Sequence, residues 1–288
     1  MKSPFLFCFL LFLLPRLLPA QPELTDKNDP DFNPHAVNPY VSAPLVLGLG
    51  YVSARRADKV RSKPRIPLAE VTGLRREDVP GFDRWALDQN SENTKQFLLV
   101  SDYVQNVAHA SPLALLFWKK YRRNWLDVTL MYFEVQTTQG LIYSYSPFGP
   151  GTTNRLRPIA YYDAVSDSDR TEGNVKNSQF SGHVSTMSAS AYFMAKMVDD
   201  YNPDFTPGQR VLVYGAATVP VAFSGWLRIR ALKHFPSDVA LGAAVGAFSG
   251  VMVPQFHKWW AQRHPNSSAA LAPFYGNGAG GVGFTLTY

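Results

Sequence analysis

The sequence predicts an all-α protein: a helical bundle that ends either in one short C-terminal β segment or in a flexible tail. Three observations carry this. From about residue 93 apolar residues recur every three or four positions, as in Phe97, Val100, Tyr103, Val104 and Val107. Residues 211–227 and 239–256 hold no charge and are rich in Gly, Ala, Ser and Thr. Alternation of the β type is confined to the last eight residues, GVGFTLTY. With 46% hydrophobic and 17% charged residues, the chain has ample material for a core and is too apolar for disorder.

Taken in order, residues 1–20 have Lys2 near the start, an apolar run over 5–14 and a small-residue end at Ala20. This is the pattern of a secretory signal peptide cut after Ala20, with an uncleaved anchor as the alternative. Cys8 is the one cysteine and would leave with the leader, so an exported chain would rest on packing rather than disulfides. Losing Lys2 and Arg16, and no acid, takes the formal charge from +6 to +4. That mild excess suits an anionic substrate or a membrane surface, and no nucleic-acid motif accompanies it. The expected location is secreted or periplasmic, with a membrane-embedded bundle as the alternative.

Residues 21–92 read as an N-terminal arm and irregular region with short helices: a polar, proline-rich stretch over 21–40, a short apolar piece over 44–52, a solvated basic run over 54–65 and a short helix near 68–76. Residues 93–260 read as the helical domain. Within it, Ser111 and Pro112 predict the N-cap and first position of a helix over 111–125. A long helix follows over 125–146. Another begins near Ser181 with Met187, Ala191, Met194 and Val198 on one face. Two more cover about 208–234 and 236–260. Residues 261–288 form the tail, where Asn266-Ser267-Ser268 is a glycosylation sequon in a eukaryotic host. The two uncharged stretches fall just short of the ~20 apolar residues of a membrane span. Asp102, Asp127 and Glu134 inside other helices, with a mean hydropathy of −0.13, favour a soluble bundle. The apolar residues of 41–53 and 131–145 fit a lipid groove or a packed core equally well.

Three clusters carry chemistry. In Asn154-Arg155-Leu156-Arg157-Pro158 two guanidiniums precede a proline; by itself this is a solvated basic turn. Ser181-Gly182-His183 opens a helix, where free backbone N–H groups and the helix dipole make an anion site; by itself it is a serine cap with an incidental histidine. In the third, Arg228 precedes His234 by six residues and Asp238 follows it by four. Pro236 starts a helix with Asp238 in its first turn, where the carboxylate would either orient the imidazole or serve the helix cap.

In this order the clusters resemble the type 2 phosphatidic acid phosphatase superfamily, which also holds bacterial non-specific acid phosphatases and vanadium haloperoxidases. Its signature is Lys-x6-Arg-Pro, Pro-Ser-Gly-His and Ser-Arg-x5-His-x3-Asp, and the resemblance covers about residues 93–257. It implies a helical bundle with its site at the helix ends. It also implies His234 as the nucleophile that forms a phosphohistidine, Asp238 as its orienting group and His183 as the acid for the leaving oxygen. Arg157, Arg228, Ser181 and the Gly182 N–H would hold phosphate oxygens. Guanidinium forks suit that task, and two histidines divide acid and base roles near neutral pH.

The chain departs from the signature at three places. Pro150 stands where the family has its lysine, in the loop SPFGPGTTN; Phe180 stands for the proline and Leu227 for the serine. Arg155 is the nearest cation to take the lysine's place. The expected function is an exported, metal-independent phosphatase of phosphomonoesters or pyrophosphates, lipid phosphates included. It needs no cofactor, and its partners are a phosphorylated small molecule or lipid and a membrane surface, with no nucleic acid. Two alternatives stay open: a haloperoxidase with vanadate bound at His234, and a non-catalytic protein that holds phosphate or a lipid head group.

Overall fold

The computed structural model describes residues 32–35, 37–264, 268–276 and 279–287. The leader over 1–20 and the sequon asparagine lie outside these residues. The helices in chain order are α1 (Pro39–Arg61), α2 (Leu68–Thr72), α3 (Thr94–Ala110), α4 (Lys119–Arg122), α5 (Trp125–Tyr145), α6 (Asp167–Arg170), α7 (Gly182–Asp200), α8 (Pro207–Arg230) and α9 (Pro236–Arg263). The all-α expectation holds for the bundle. Residues 281–287 of GVGFTLTY fall in strand β2 (Ala279–Thr287), which pairs antiparallel with β1 (Ser268–Gly276).

Over residues 37–92 the chain is more regular than expected. The apolar piece and the start of the basic run form one 23-residue helix, α1, capped by the Asn38 side chain on the Tyr40 N–H. Pro44, Gly48 and Gly50 interrupt its helical signal in the sequence. Its Ser53 meets Gly140 of α5, where a Cβ would come 2.6 Å from the hydroxyl oxygen. The helix expected over 111–125 is instead a 3-10 turn over Ser111–Phe117 followed by the short α4. The apolar run 113–118 has no helical period, and Trp118 takes an extended conformation that ends the turn. The short helix near 68–76 is cut back to α2, with a separate 3-10 turn at Arg76–Asp78.

α7 is the central helix, packed by α9, α8, α5 and α3, while α1 lies on the outer side of α5. Small residues make this possible. Gly242, Gly246 and Gly250 of α9 face α7, and a Cβ at Gly246 would overlap the carbonyl oxygen of Ser185. The main core lies toward the far end of α7, around Met131, Val135, Phe193 and Met197. The near end is polar, and there the turn between α8 and α9 meets the first residues of α7.

α8 and α9 are long and apolar enough to cross a membrane, yet only 33% of each apolar window is buried. Val211 and Leu212 are 73% and 71% exposed, and Phe223, Trp226, Phe248 and Phe256 also face outward. A soluble bundle would bury such windows, so this exposure counts against the soluble reading.

Candidate active site

Five predicted residues meet in one cavity of about 450 Å³: Arg157, Gly182, His183, Arg228 and His234. They come from three places in the chain. Arg157 ends the segment after α5, where its N–H donates to the Val175 carbonyl. Gly182 and His183 begin α7. Arg228 lies in the last turn of α8, and His234 sits in the turn before α9.

That turn is built with a left-handed residue. The Leu232 N–H donates to the Ile229 carbonyl and the Lys233 N–H to the Arg228 carbonyl, a Schellman closure. Leu232 sits at φ 54°, a conformation that costs a non-glycine residue about 1 kcal/mol. Its side chain is fully buried, and that burial offsets the strain. The chain then turns so that Lys233 and His234 both line the cavity.

His234 is 2% exposed and donates its Nδ1–H to the Ser178 carbonyl at 2.6 Å. This leaves Nε2 with the lone pair. Burial, and then the charges of Arg157 and Arg228, hold its pKa well below the ordinary histidine value, so the ring is neutral at neutral pH. His183 pairs through Nε2 with Asp102 of α3 at 2.9 Å. Its pKa is lowered by burial and by Arg228, while Asp102 opposes the shift. Arg228 reaches Ser101 and Asp102 through Nη1, and its Nε is a buried donor without a partner. The buried Arg157 contacts the Asn177 carbonyl only at 3.5 Å. Donors this weakly used suit an oxyanion.

Three predicted residues stand elsewhere. Ser181 is fully buried behind the cavity: its hydroxyl accepts from the Val184 N–H and its own N–H donates to the Asp238 carbonyl, so it builds the helix start rather than lining the cavity. Asp238 does not bond His234. It accepts from the Ser178 hydroxyl at 2.6 Å, the Phe235 N–H at 2.9 Å and Arg155 at 2.6 Å. The same Ser178 offers its carbonyl to His234, so Asp238 fixes the histidine through one intervening residue. Arg155 also lies outside the cavity lining, spent on Asp83, Asp238 and Ser237. A guanidinium held by two carboxylates has no reason to turn toward a phosphate, so it does not fill the lysine's place.

Pro150 supplies no cation either. Its carbonyl accepts from Lys63, which also reaches the Thr153 carbonyl and Asn154, while Arg56 donates to the Gly151 carbonyl. Two members of the expected solvated basic run thus pin the loop that holds Pro150.

The sequence reading missed four participants. Asp102 was visible only as a carboxylate inside an apolar helix. Tyr143, whose ring lies over Gly182, had no polar context to single it out. Lys233 is adjacent to His234 in Ala-Leu-Lys-His. Ser178 acts through its backbone, which no side-chain motif reveals. Among the described residues no group of His, Cys, Asp and Glu is placed to hold a metal ion.

Neither the curated proteins nor the solved structures contain a match to this chain. Residues 137–262 match the family model of the PAP2 superfamily, a span that includes both histidines, Arg157, Arg228 and Asp238. That superfamily's members generally hydrolyse phosphate esters, and this stretch of the chain is similar to them.

Proposed function

We propose that this chain is a metal-independent phosphatase of the membrane surface, acting on a phosphomonoester or pyrophosphate through a phosphohistidine at His234. One observation carries the reading. His234 is neutral with Nδ1 anchored on Ser178, which presents Nε2 as a nucleophile to a cavity that also holds two arginines. In the first step Nε2 forms a bond to phosphorus and the bond to the leaving oxygen breaks. His183, protonated once the phosphate dianion is bound, gives its proton to that oxygen. In the second step water attacks phosphorus, His183 takes a proton from it, and the P–N bond breaks. Arg157, Arg228 and the first N–H groups of α7 hold the oxygens as charge builds.

Two features support a lipid substrate. The active site lies where α8 ends and α9 begins, so a bilayer around these two helices would place it at the interface. Their 24 and 28 residues give about 36 and 42 Å of helix, enough for a hydrocarbon core of about 30 Å. An apolar groove of about 580 Å³ runs between α3, α7 and α8, lined by Val104, Val107, Met187, Ala191, Met194 and Val213. It shares α3 and α7 with the cavity, an arrangement that suits a phosphate in one and an acyl chain in the other. Export remains part of the proposal on the strength of the leader pattern alone.

The test uses the full chain in detergent. Wild type should release phosphate from a lipid phosphate, and His234→Ala should remove that activity and the acid-quenched phosphoenzyme. His183→Ala should cost about 10²–10⁴-fold on a substrate with a poor leaving group and much less on a nitrophenyl phosphate, whose departure needs no acid. Phosphate release that survives His234→Ala would falsify the proposed nucleophile. Halide oxidation on adding vanadate would move the reading to the haloperoxidases, and binding without turnover to a non-catalytic protein.

A further inference from the structure

The cavity lacks the lysine that its family pattern expects, and the structure shows which group stands nearest to replace it. Pro150 is held away by Lys63, and Arg155 is paired with Asp83 and Asp238. Arg61 lines the cavity but is largely exposed and pairs with Asp58. Lys233 remains. It lines the cavity beside its neighbour His234, it is half-buried, and among the described residues no hydrogen bond or ion pair engages its ammonium group. The backbone that aims it is the Schellman turn at the left-handed Leu232, and its N–H is tied to the carbonyl of Arg228 in that turn. One turn therefore sets the nucleophile, an arginine and this lysine relative to one another.

We propose that Lys233 is the third phosphate-binding cation of this site and does the work of the absent family lysine. The proposal rests on the phosphatase reading above. A cation delivered from the nucleophile's own turn makes the lysine of the first motif dispensable, which accounts for a proline and a pinned loop in its place. The group has a consequence for pH. Burial, and then the nearby charges of Arg157 and Arg228, push the Lys233 ammonium down to about 8, against the opposing pull of Glu172 and Asp102. The other charged or titratable groups facing it are His183, His234, Tyr143 and Arg61 in the cavity, with Lys95 and Asp169 across a smaller adjoining space of about 180 Å³ that Lys233 also lines. A bound phosphate dianion favours the charged form, so phosphate affinity should be full below that pKa and fall as pH rises through it.

The experiment is binding of inorganic phosphate by the full-length chain in detergent, followed by calorimetry across the neutral and alkaline range, alongside turnover. Lys233→Met should weaken phosphate binding about a hundredfold and remove the affinity step near pH 8. Lys233→Arg should restore most of the affinity and carry it to higher pH, because a guanidinium stays charged. An unchanged thermal transition in Lys233→Arg separates this from misfolding. Wild-type affinity and an unshifted pH step in Lys233→Met would overturn the proposal, as would a loss that Lys233→Arg does not repair. The two readings fail separately. Turnover lost in His234→Ala but intact in Lys233→Met removes only the lysine's role. Phosphate binding that needs Lys233, in a chain that never turns over, removes only the phosphatase. A wild type that binds no phosphate removes both.

Discussion

At the scale of single residues, the site divides its two histidines by what each ring nitrogen touches. His234 gives Nδ1–H to a backbone carbonyl and is left neutral, a nucleophile's state. His183 has a carboxylate on Nε2 and must gain a proton to serve as an acid. On the proposed mechanism Asp102 would position the acid, because its charge raises the His183 pKa against burial and Arg228. The sign of its removal follows. In Asp102→Asn the His183 pKa falls, so the alkaline limb of kcat/KM, where the acid loses its proton, should move to lower pH, with a drop of about tenfold in kcat. A contact that only held the fold would lower the Tm and leave the limb in place. Nothing in the three motifs signals Asp102, which comes from α3, outside the matched domain. The roles of Ser181 and Asp238 also differ from those the motifs imply, since both support the site from behind. A motif records which residue types recur, whereas the partner of each polar atom depends on chain segments that the motif does not contain.

At the scale of elements, the site is made by close approach of α7 and α9. The glycines at 242, 246 and 250 let the two backbones come together, and Ser181 at the head of α7 bonds the backbone carbonyl of Asp238 on α9. Gly246→Val should cost at least about 3 kcal/mol, because the new side chain meets the backbone of α7 and not a movable side chain. Thermal or denaturant unfolding in detergent measures this. A stable Gly246→Val chain with wild-type activity would show that the helices separate without disturbing the site. The small residues were legible in the sequence, and so was their use in close packing. Their partner was not, since a stripe of glycines looks the same whether it faces another helix or lipid. The loop after α5 makes a similar point. Its prolines and glycines announced a loop, but the staples from Lys63 and Arg56 link segments about ninety residues apart.

At the scale of the whole molecule, the question is what surrounds α8 and α9. Much of their outward surface is apolar, and the turn that carries His234 lies at one end of both. If lipid covers them, Leu212→Lys, near one end of α8, should cost insertion free energy up to the ~2.5–3.5 kcal/mol of a charge at a helix centre and shift the chain out of the membrane fraction or into degradation. If water covers them, the same change at a 71% exposed site should leave both amount and solubility unaltered or improved. Fractionation of cells expressing the two chains decides between these outcomes. The helical class was legible in the chain alone, and so was the grouping of Arg157, Gly182, His183, Arg228 and His234, which the fold brings to one cavity. Helical periodicity is local, and this ordered spacing of arginines and histidines is rare enough to identify. Packing across the bundle settled the rest: Asp238 reaches His234 through Ser178, Arg155 is spent on carboxylates, and Asp102 and Lys233 enter the cavity. It also decided that the long apolar helices turn most of their surface outward. Each of these depends on what a side chain meets across the bundle, and such meetings follow from how helices distant in the chain pack together.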